Sequence, residues 1–384
     1  MSIALKKEST FGAVLLVAGC CIGAATIGLP VVSVVSGFFP SSLMMFFSYL
    51  FTTGMGLLLL EATLWFEHKV NLLSIAQFTL GRLGKTITGA LFLFLFYGIF
   101  VAYLDAGGQL LEQALGVPKQ AAMCLCVILV SATIYKGVRS VDLINRILMA
   151  GLLLSYLLLV TMGLSDMQLK NLEHKNWLAS LGTLPILFIC FGYQNLVPSL
   201  ACYLQKNIQQ IRTAIILGNM IPFLFYLLWN FVVLGMISDP RSNLDRSTIV
   251  TDLLIQANQS KSIIYLVNIF SLFGLFTSFI TIGISFIDFI KDAFKSPPSK
   301  LVLHSLVLLP PLFICFIYSD LFLLALNFAG GFIDILLFGM LPISFVWIGR
   351  YKKGAQGSYQ VKGGKGFLII MLLLCITLIA IRLF

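Results

Sequence analysis

Long apolar runs separated by short polar loops constrain this chain more than any other feature of its sequence. A helix needs about 20 mostly apolar residues to cross the hydrocarbon core of a bilayer. Only 10% of the residues are charged, whereas a soluble domain carries about 25%. The chain is therefore predicted to be an all-α polytopic membrane protein with eleven helices. These candidate helices are 10–35, 41–66, 86–112, 120–135, 146–164, 177–204, 213–237, 262–290, 301–317, 321–349 and 367–383.

The distribution of lysine and arginine predicts the orientation of these helices, because short cytoplasmic loops are enriched in both. With the N-terminus inside and eleven spans, 18 of the 25 basic residues fall on the inner side. The C-terminus is then outside. The opening segment MSIALKKEST lacks the apolar core of a signal peptide, so the first residue is expected to be the mature start.

The net charge of +10 raises the question of nucleic acid binding. The basic residues lie in short loops between apolar runs and form no basic face with interleaved aromatic residues. The eight cysteines lie in apolar stretches without a CxxC pair, so neither disulfides nor a zinc site are expected. The partners predicted are the lipid bilayer and a small molecule, with no nucleic acid, no metal and no cofactor.

The first candidate helix contains glycine positions that an unbroken helix would not favour. Its run VAGCCIGAATIGLP carries Gly19 and Gly23, followed by Pro30. Glycine tolerates unwound backbone, and half-helix ends present free N–H and C=O groups to a ligand. One interpretation is close packing of helices through GxxxG. The other is a gap that holds a zwitterion, with its carboxylate near the amides of Gly23 and Ala24 and its ammonium near the carbonyls of Ala18 and Gly19.

A second break favours the gap. The run FICFGYQNLVPSL places Gly192 and the polar residues Tyr193 and Gln194 in mid-membrane. Interrupted segments in corresponding places of two halves indicate the binding site of an inverted-repeat transporter. The two segments are the first and sixth spans, which predicts a five-plus-five repeat. Residues 1–384 then form a single transmembrane domain, with helices 1–5 over 10–164, helices 6–10 over 177–349 and an extra helix over 367–383.

The chain resembles the bacterial aromatic amino acid permeases, the hydroxy and aromatic amino acid permease family. The likeness lies in the first run above and, in order, in LPILFICFGYQNLVPSL, GISFIDFIKDAF, LPPLFICFIY, NFAGG and YQVKGG. It implies the LeuT-like fold of the APC superfamily and proton-coupled uptake of tyrosine or tryptophan across the bacterial inner membrane. Cys20, Cys21 and Ala25 depart from the family pattern, which commonly has Thr, Thr and Gly there.

The predicted substrate site combines the backbone of both breaks with side chains from helices 3, 8 and 10. Helix 8 carries Thr277, Thr281 and Ser285 on one face; these hydroxyls either line the site or bond their own helix backbone. Aromatic residues on the flanking helices would stack on an aromatic substrate. The predicted substrate-binding residues are Ala18, Gly19, Cys20, Cys21, Gly23, Ala24, Tyr97, Cys190, Phe191, Gly192, Tyr193, Gln194, Thr281 and Asn327.

Charged residues inside spans are functional candidates because they are costly there. The predicted coupling or gating residues are Thr277, Ser285, Glu61 and Asp334. Asp105 is expected to be exposed at the outer interface. The inner loop 350–366 is expected to be flexible, and DLLIQA in the outer loop 238–261 is expected to form a short surface helix.

Other function classes fit the sequence less well. It has no HExxH or GxSxG motif and no paired intramembrane Asp or His, which argues against an enzyme. It has no filter-like repeat, which argues against an ion channel. The sequence alone leaves the coupling cation open: the resemblance implies H+, while Na+ could bind the Thr277 and Thr281 hydroxyls with carbonyls near Gly19. A sodium-coupled or broader-specificity neutral amino acid transporter is the alternative.

Overall fold

A computed structural model describes residues 9–383 except 69, 137, 238–247, 258, 295–297 and 319. Lys6, Lys7, Lys69, Arg241, Arg246 and Lys295, used above for orientation, lie outside the described residues. The described part of the chain is helical and contains no strand. Its α-helices are α1 (Thr10–Cys21), α2 (Ala25–Ser36), α3 (Phe38–Thr63), α4 (Leu72–Leu115), α5 (Lys119–Tyr135), α6 (Val138–Asp166), α7 (Trp177–Ser180), α8 (Leu184–Cys190), α9 (Val197–Tyr203), α10 (Ile208–Gly235), α11 (Val250–Gln256), α12 (Lys261–Ala293), α13 (Lys300–Ile317), α14 (Phe322–Phe328), α15 (Leu341–Lys352) and α16 (Gly364–Leu383).

Several of these helices are long and apolar enough to cross a membrane. Eight described segments meet that requirement, and the pair α1 and α2, bent by 65°, makes a ninth. The helix α5 and the segment Gly364–Ala380 are shorter apolar helices. The structure therefore confirms a polytopic all-helical protein, and the count of eleven spans stays a prediction.

The third predicted helix, 86–112, is part of a longer helical element, α4. It extends over Leu72–Leu115, with non-helical backbone at Gly81, whose φ is 76°. Glycine adopts this left-handed region without steric cost, so the chain changes direction there. Asn71 begins α4 by accepting a hydrogen bond from the Ser74 N–H at 2.9 Å. The element therefore consists of two helical parts on either side of Gly81, and the second part contains the predicted helix 86–112.

The tenth predicted helix is also more complex than expected. Between α14 and α15 the chain forms a π-helix over Ala329–Met340. Such wider turns are frequent at functional sites. A Cβ added to Gly330 would lie 1.9 Å from the Pro185 carbonyl oxygen, so this segment packs directly against the backbone of α8.

The short helix predicted for DLLIQA in the loop 238–261 is present as α11, but it is not a surface helix, because Val250, Leu253 and Leu254 are buried. Asp252 accepts hydrogen bonds from the Ile249 N–H at 2.9 Å and from the Nε2 atoms of Gln109 and Gln113, both at 2.8 Å. The helix is thereby attached to the C-terminal part of α4. Burial raises the pKa of the Asp252 carboxyl above its usual value.

Candidate functional site

The two predicted breaks are present and face each other. The first lies between the end of α1 at Cys21 and the start of α2 at Ala25. In the second, α8 ends at Cys190 and the chain resumes as a 3-10 turn over Gln194–Leu196. The Cys20 Sγ lies 3.8 Å from the Gly192 carbonyl oxygen, so one break contacts the other.

Side chains of α10 and α12 complete the backbone bonds of the first break. The Tyr226 hydroxyl donates to the Cys21 carbonyl at 2.7 Å. The Ala24 N–H donates to the Ser278 Oγ at 3.1 Å. Unpaired backbone groups inside a membrane are costly, so these bonds make the opening of the helix tolerable.

Ser278 is a site residue that the sequence analysis missed. A Cβ added to Gly23 would lie 1.8 Å from the Ser278 Oγ and 3.5 Å from the Gly274 carbonyl oxygen. Gly274 and Ser278 are four residues apart and therefore occupy one face of α12. This pair of small residues was the available sequence signal.

The three hydroxyls predicted from α12 lie elsewhere. Thr281 donates to the Thr277 carbonyl and Ser285 to the Thr281 carbonyl, at 2.8 and 3.2 Å. The Thr277 hydroxyl donates to the Asn145 side chain on α6. The alternative in which such hydroxyls bond their own helix thus describes Thr281 and Ser285, and the structure does not bring this stripe to the breaks.

Open space remains beside the first break. A Cβ added to Gly19 would meet no atom within 4 Å. The adjacent Cys20 is exposed, although Ala18, Cys21 and Ala24 are buried. A small ligand could therefore reach the end of α1 from the side of Gly19 and Cys20.

The aromatic residues divide into two groups. Phe191 is fully buried, and its ring lies 6.2 Å from that of Tyr226 in an edge-to-face arrangement. The Tyr193 hydroxyl, in contrast, donates to the Thr52 carbonyl of α3 at 3.1 Å. The Tyr97 hydroxyl donates to the Leu306 carbonyl of α13 at 2.8 Å. Phe191 and Tyr226 thus adjoin the breaks. Tyr193 also lies in the second break, but its hydroxyl is bonded to α3, and that of Tyr97 is bonded to α13.

The remaining predicted residues lie around the second break and on α14. Cys190 and Gln194 are buried, and the Gln194 Oε1 has no hydrogen-bond partner in the described structure. Asn327 is half-buried on α14, one residue before the end of that helix, and its Oδ1 is also unpaired. Both amide oxygens are available as acceptors.

Comparison with known proteins identifies the family. A model of the tryptophan/tyrosine permease family matches residues 6–382. The chain belongs to this family. Tyrosine-specific transport system 1 of Haemophilus influenzae is 28% identical, over 97% of this chain and 96% of its own length. Glutamine transporter 2 of Aliivibrio fischeri is 27% identical, over 96% of this chain and 98% of its own. These relatives are named as transporters, which confirms the resemblance and the expectation that the chain is not an enzyme.

The fold of this permease is also found among solved structures. The crystal structure of MhsT in complex with L-phenylalanine matches with a TM-score of 0.68 at 14% identity, over 98% of both chains. At this identity the likeness concerns the fold alone. It supports the predicted LeuT-like helical architecture.

The permease buries a charged pair near the C-terminal ends of α3 and α15. Arg350 of α15 donates to both carboxylate oxygens of Glu61 on α3. Glu61 also accepts the Val361 N–H at 2.7 Å, and Arg350 donates to the Val361 carbonyl at 3.0 Å. The prediction of a flexible loop over 350–366 is therefore wrong at Val361, whose two backbone groups are both bonded to this pair.

Asp105 corrects another expectation. Its side chain is fully buried, not exposed at the interface, and forms an ion pair with Lys119 at 2.9 Å. The Phe322 N–H donates to its Oδ2 at 3.1 Å. Asp105 thus fastens α4 to the starts of α5 and α14.

Asp334 has a different environment. It lies in the π-helix, and its exposed fraction is only 5%. Among the described residues, no ion pair or hydrogen bond to its carboxyl is found. An unpaired carboxyl in a membrane interior is a candidate for a functional group.

Proposed function

We propose that this permease imports an aromatic amino acid, tyrosine or tryptophan, across the bacterial inner membrane by proton symport. In this proposal eleven spans form a five-plus-five inverted repeat plus one helix, with the N-terminus in the cytoplasm and the C-terminus outside. The repeat carrying helices 1–5 and that carrying helices 6–10 expose the site alternately to the two sides.

The observation that supports this proposal best is the contact between the two breaks, with open space beside Gly19. In the proposed complex the substrate carboxylate takes the place of the Ser278 Oγ at the Ala24 N–H. The start of α2 favours a negative charge because of its free amides. The substrate ammonium faces carbonyls at the end of α1, where a cation is favoured.

The substrate side chain is proposed to lie against Phe191 and Tyr226. Aromatic pairs in edge-to-face or offset geometry contribute about 0.5–1.5 kcal/mol beyond burial. The relatives named for tyrosine transport and the family's name support an aromatic substrate. The relative named as a glutamine transporter supports the alternative, a broader-specificity neutral amino acid transporter.

Uptake into proteoliposomes tests the substrate and the cation together. We expect labelled tyrosine or tryptophan to accumulate under an inward pH gradient and not under a sodium gradient alone. Serine, leucine and glutamine should compete weakly. Accumulation driven only by sodium would favour the sodium-coupled alternative, and equal uptake of all five amino acids would favour broad specificity. If no amino acid enters, the proposed function fails.

Asp334 is proposed to carry the coupling proton, because its buried carboxyl has no cation partner. Asp334→Asn should then lose pH-driven accumulation by about tenfold or more, as expected for loss of a proton-transfer group. Exchange of internal for external substrate should persist, because it needs no net proton movement. Both rates are measured with labelled tyrosine in proteoliposomes.

Asp288→Asn is the matched control. Asp288 is exposed near the inner end of α12, so its loss should leave both rates within about twofold of the original, as for other surface substitutions. Normal pH-driven accumulation by Asp334→Asn would exclude Asp334 as the carrier.

A further inference from the structure

A cavity away from the breaks lies between α5 and α13. Its volume is about 160 Å³, and it is lined by apolar residues and by Ser131, Tyr135, His304 and Ser305. It adjoins the C-terminal end of α5 and the N-terminal end of α13. Nothing in the proposed transport cycle uses it.

His304 lines this cavity and carries an unpaired polar atom. Its Nδ1 lies 2.6 Å from the Lys300 carbonyl oxygen, which can only accept a hydrogen bond. The Nδ1 therefore carries a hydrogen, and in neutral histidine the Nε2 is left as an acceptor. The side chain is nine-tenths buried, yet its Nε2 has no partner in the described structure. Unpaired buried polar atoms are uncommon in native proteins and call for a ligand.

The hydroxyls beside His304 are also free. Hydroxyls in helices commonly bond the carbonyl four residues earlier, as Thr133 does at 2.8 Å in α5. Ser131 and Ser305 make no such bond in the part of the chain that the structure describes. Ser131, Ser305 and His304 thus line one small cavity, and neither serine hydroxyl nor the histidine Nε2 has a partner among the described residues.

A positive charge lies at the same end of the cavity. The Lys300 ammonium is 5.6 Å from the centre of the Tyr135 ring, and that ring packs edge-to-face on His304 at 5.7 Å. Lys136 follows Tyr135 at the end of α5. Tyrosine and lysine at helix ends are typical of the level of lipid headgroups. Basic pockets between spanning helices are known to bind acidic headgroups.

The outer walls of the cavity are suited to acyl chains. Leu301 and Leu309 of α13 retain 70% and 40% exposure, and Ile128 of α5 retains 61%. Exposed apolar side chains on spanning helices face lipid. A free anion would gain nothing from this apolar surface, whereas a phospholipid would cover it.

We propose that the cavity between α5 and α13 binds the headgroup of an anionic phospholipid of the phosphatidylglycerol type. The phosphate pairs with Lys300. A glycerol hydroxyl donates to the His304 Nε2, and Ser131 and Ser305 bond the remaining oxygens. The acyl chains lie along Leu301 and Leu309. Phosphatidylethanolamine fits less well, because its ammonium would have to lie beside Lys300.

Native mass spectrometry of the purified full-length protein, titrated with phosphatidylglycerol, tests this site. Lys300→Ala and His304→Phe should each weaken binding of the first phosphatidylglycerol by about tenfold, since each removes one direct headgroup contact. Phosphatidylethanolamine should bind the original protein and both variants equally weakly. His304→Phe keeps an aromatic ring that can contact Tyr135 and removes both ring nitrogens.

Lys365→Ala is the control for general loss of positive charge. Lys365 lies 5.0 Å from the Tyr351 ring centre, the same kind of contact as that of Lys300. The Lys365→Ala substitution should leave the affinity for the first phosphatidylglycerol within about twofold of that of the original protein. The proposal is overturned if Lys300→Ala binds phosphatidylglycerol with the affinity of the original protein, or if Lys365→Ala loses as much affinity as Lys300→Ala does. It is also overturned if millimolar inorganic phosphate displaces the lipid. Should His304→Phe fail to give a monodisperse protein, the Lys300→Ala result decides. This readout does not depend on transport.

Discussion

Gly192→Leu is expected to reduce substrate uptake to background while the protein still inserts into the membrane. The Gly192 carbonyl faces Cys20 across the two breaks. A Cβ at this position would lie 3.1 Å from the Ile189 carbonyl oxygen, a tight contact that requires a small shift of the chain at the end of α8. The remaining leucine atoms are expected to disturb the contact between the two breaks. Uptake of labelled tyrosine in proteoliposomes and protein recovered from membranes measure the two effects separately.

Gly366→Leu is the control for this substitution. A Cβ added to Gly366, near the start of α16, would meet no atom within 4 Å. We expect uptake within about twofold of the original protein, as for a substitution in open space. Normal uptake by Gly192→Leu would mean that the substrate binds elsewhere.

The breaks could be predicted from the sequence because their causes are local. Gly23 and Gly192 lie in apolar runs, and glycine weakens a helix whatever that helix packs against. That the two breaks lie opposite each other was predicted from their positions in the first and sixth spans. Local chemistry was therefore sufficient to predict where these two helices break.

The choice of side chains on α12 could not be predicted in the same way. Successive helical residues are about 100° apart, so Thr277 and Ser278 point in different directions. The spacing of Thr277, Thr281 and Ser285 identifies a face but not which neighbour that face meets. The rotation of α12 is set by Gly274 and Ser278 packing against the first break, which is a tertiary contact.

Long-range ion pairs were missed for the same reason. Asp105 lies near the predicted outer end of a helix, but the observed α4 continues to Leu115 and Lys119 covers the carboxylate. Glu61 was predicted to be a coupling or gating residue, and nothing in the sequence indicated its partner Arg350, which is 289 positions away. Such pairing depends on how the two halves of the chain pack.

The Glu61–Arg350 pair connects three parts of the chain. It joins α3 to α15, and through Val361 it fixes the connection to α16. Removal of any one member leaves polar groups of the other members buried without a hydrogen-bond partner. The stability of this region should therefore respond to single substitutions more strongly than to paired ones.

Arg350→Met is expected to lower the free energy of unfolding by about 3–5 kcal/mol, the usual effect of removing one partner of a buried ion pair. The Arg350 and Glu61 side chains retain only 5% and 2% exposure, so water cannot replace the lost partner. Glu61→Met/Arg350→Met should recover most of the loss, because no unpaired charge remains. Reversible denaturant unfolding of the protein in mixed micelles measures all three variants.

Lys353→Met is the control for Arg350→Met, because it removes an exposed cation at the C-terminal end of the same helix, α15. The Lys353 ammonium lies 4.9 Å from the Phe78 ring centre and donates to the Phe78 carbonyl, but its side chain is exposed. Its loss should change the free energy of unfolding by less than about 1 kcal/mol. A paired variant no more stable than Arg350→Met would show that the contacts of Val361, and not the buried charge of Glu61, account for the loss.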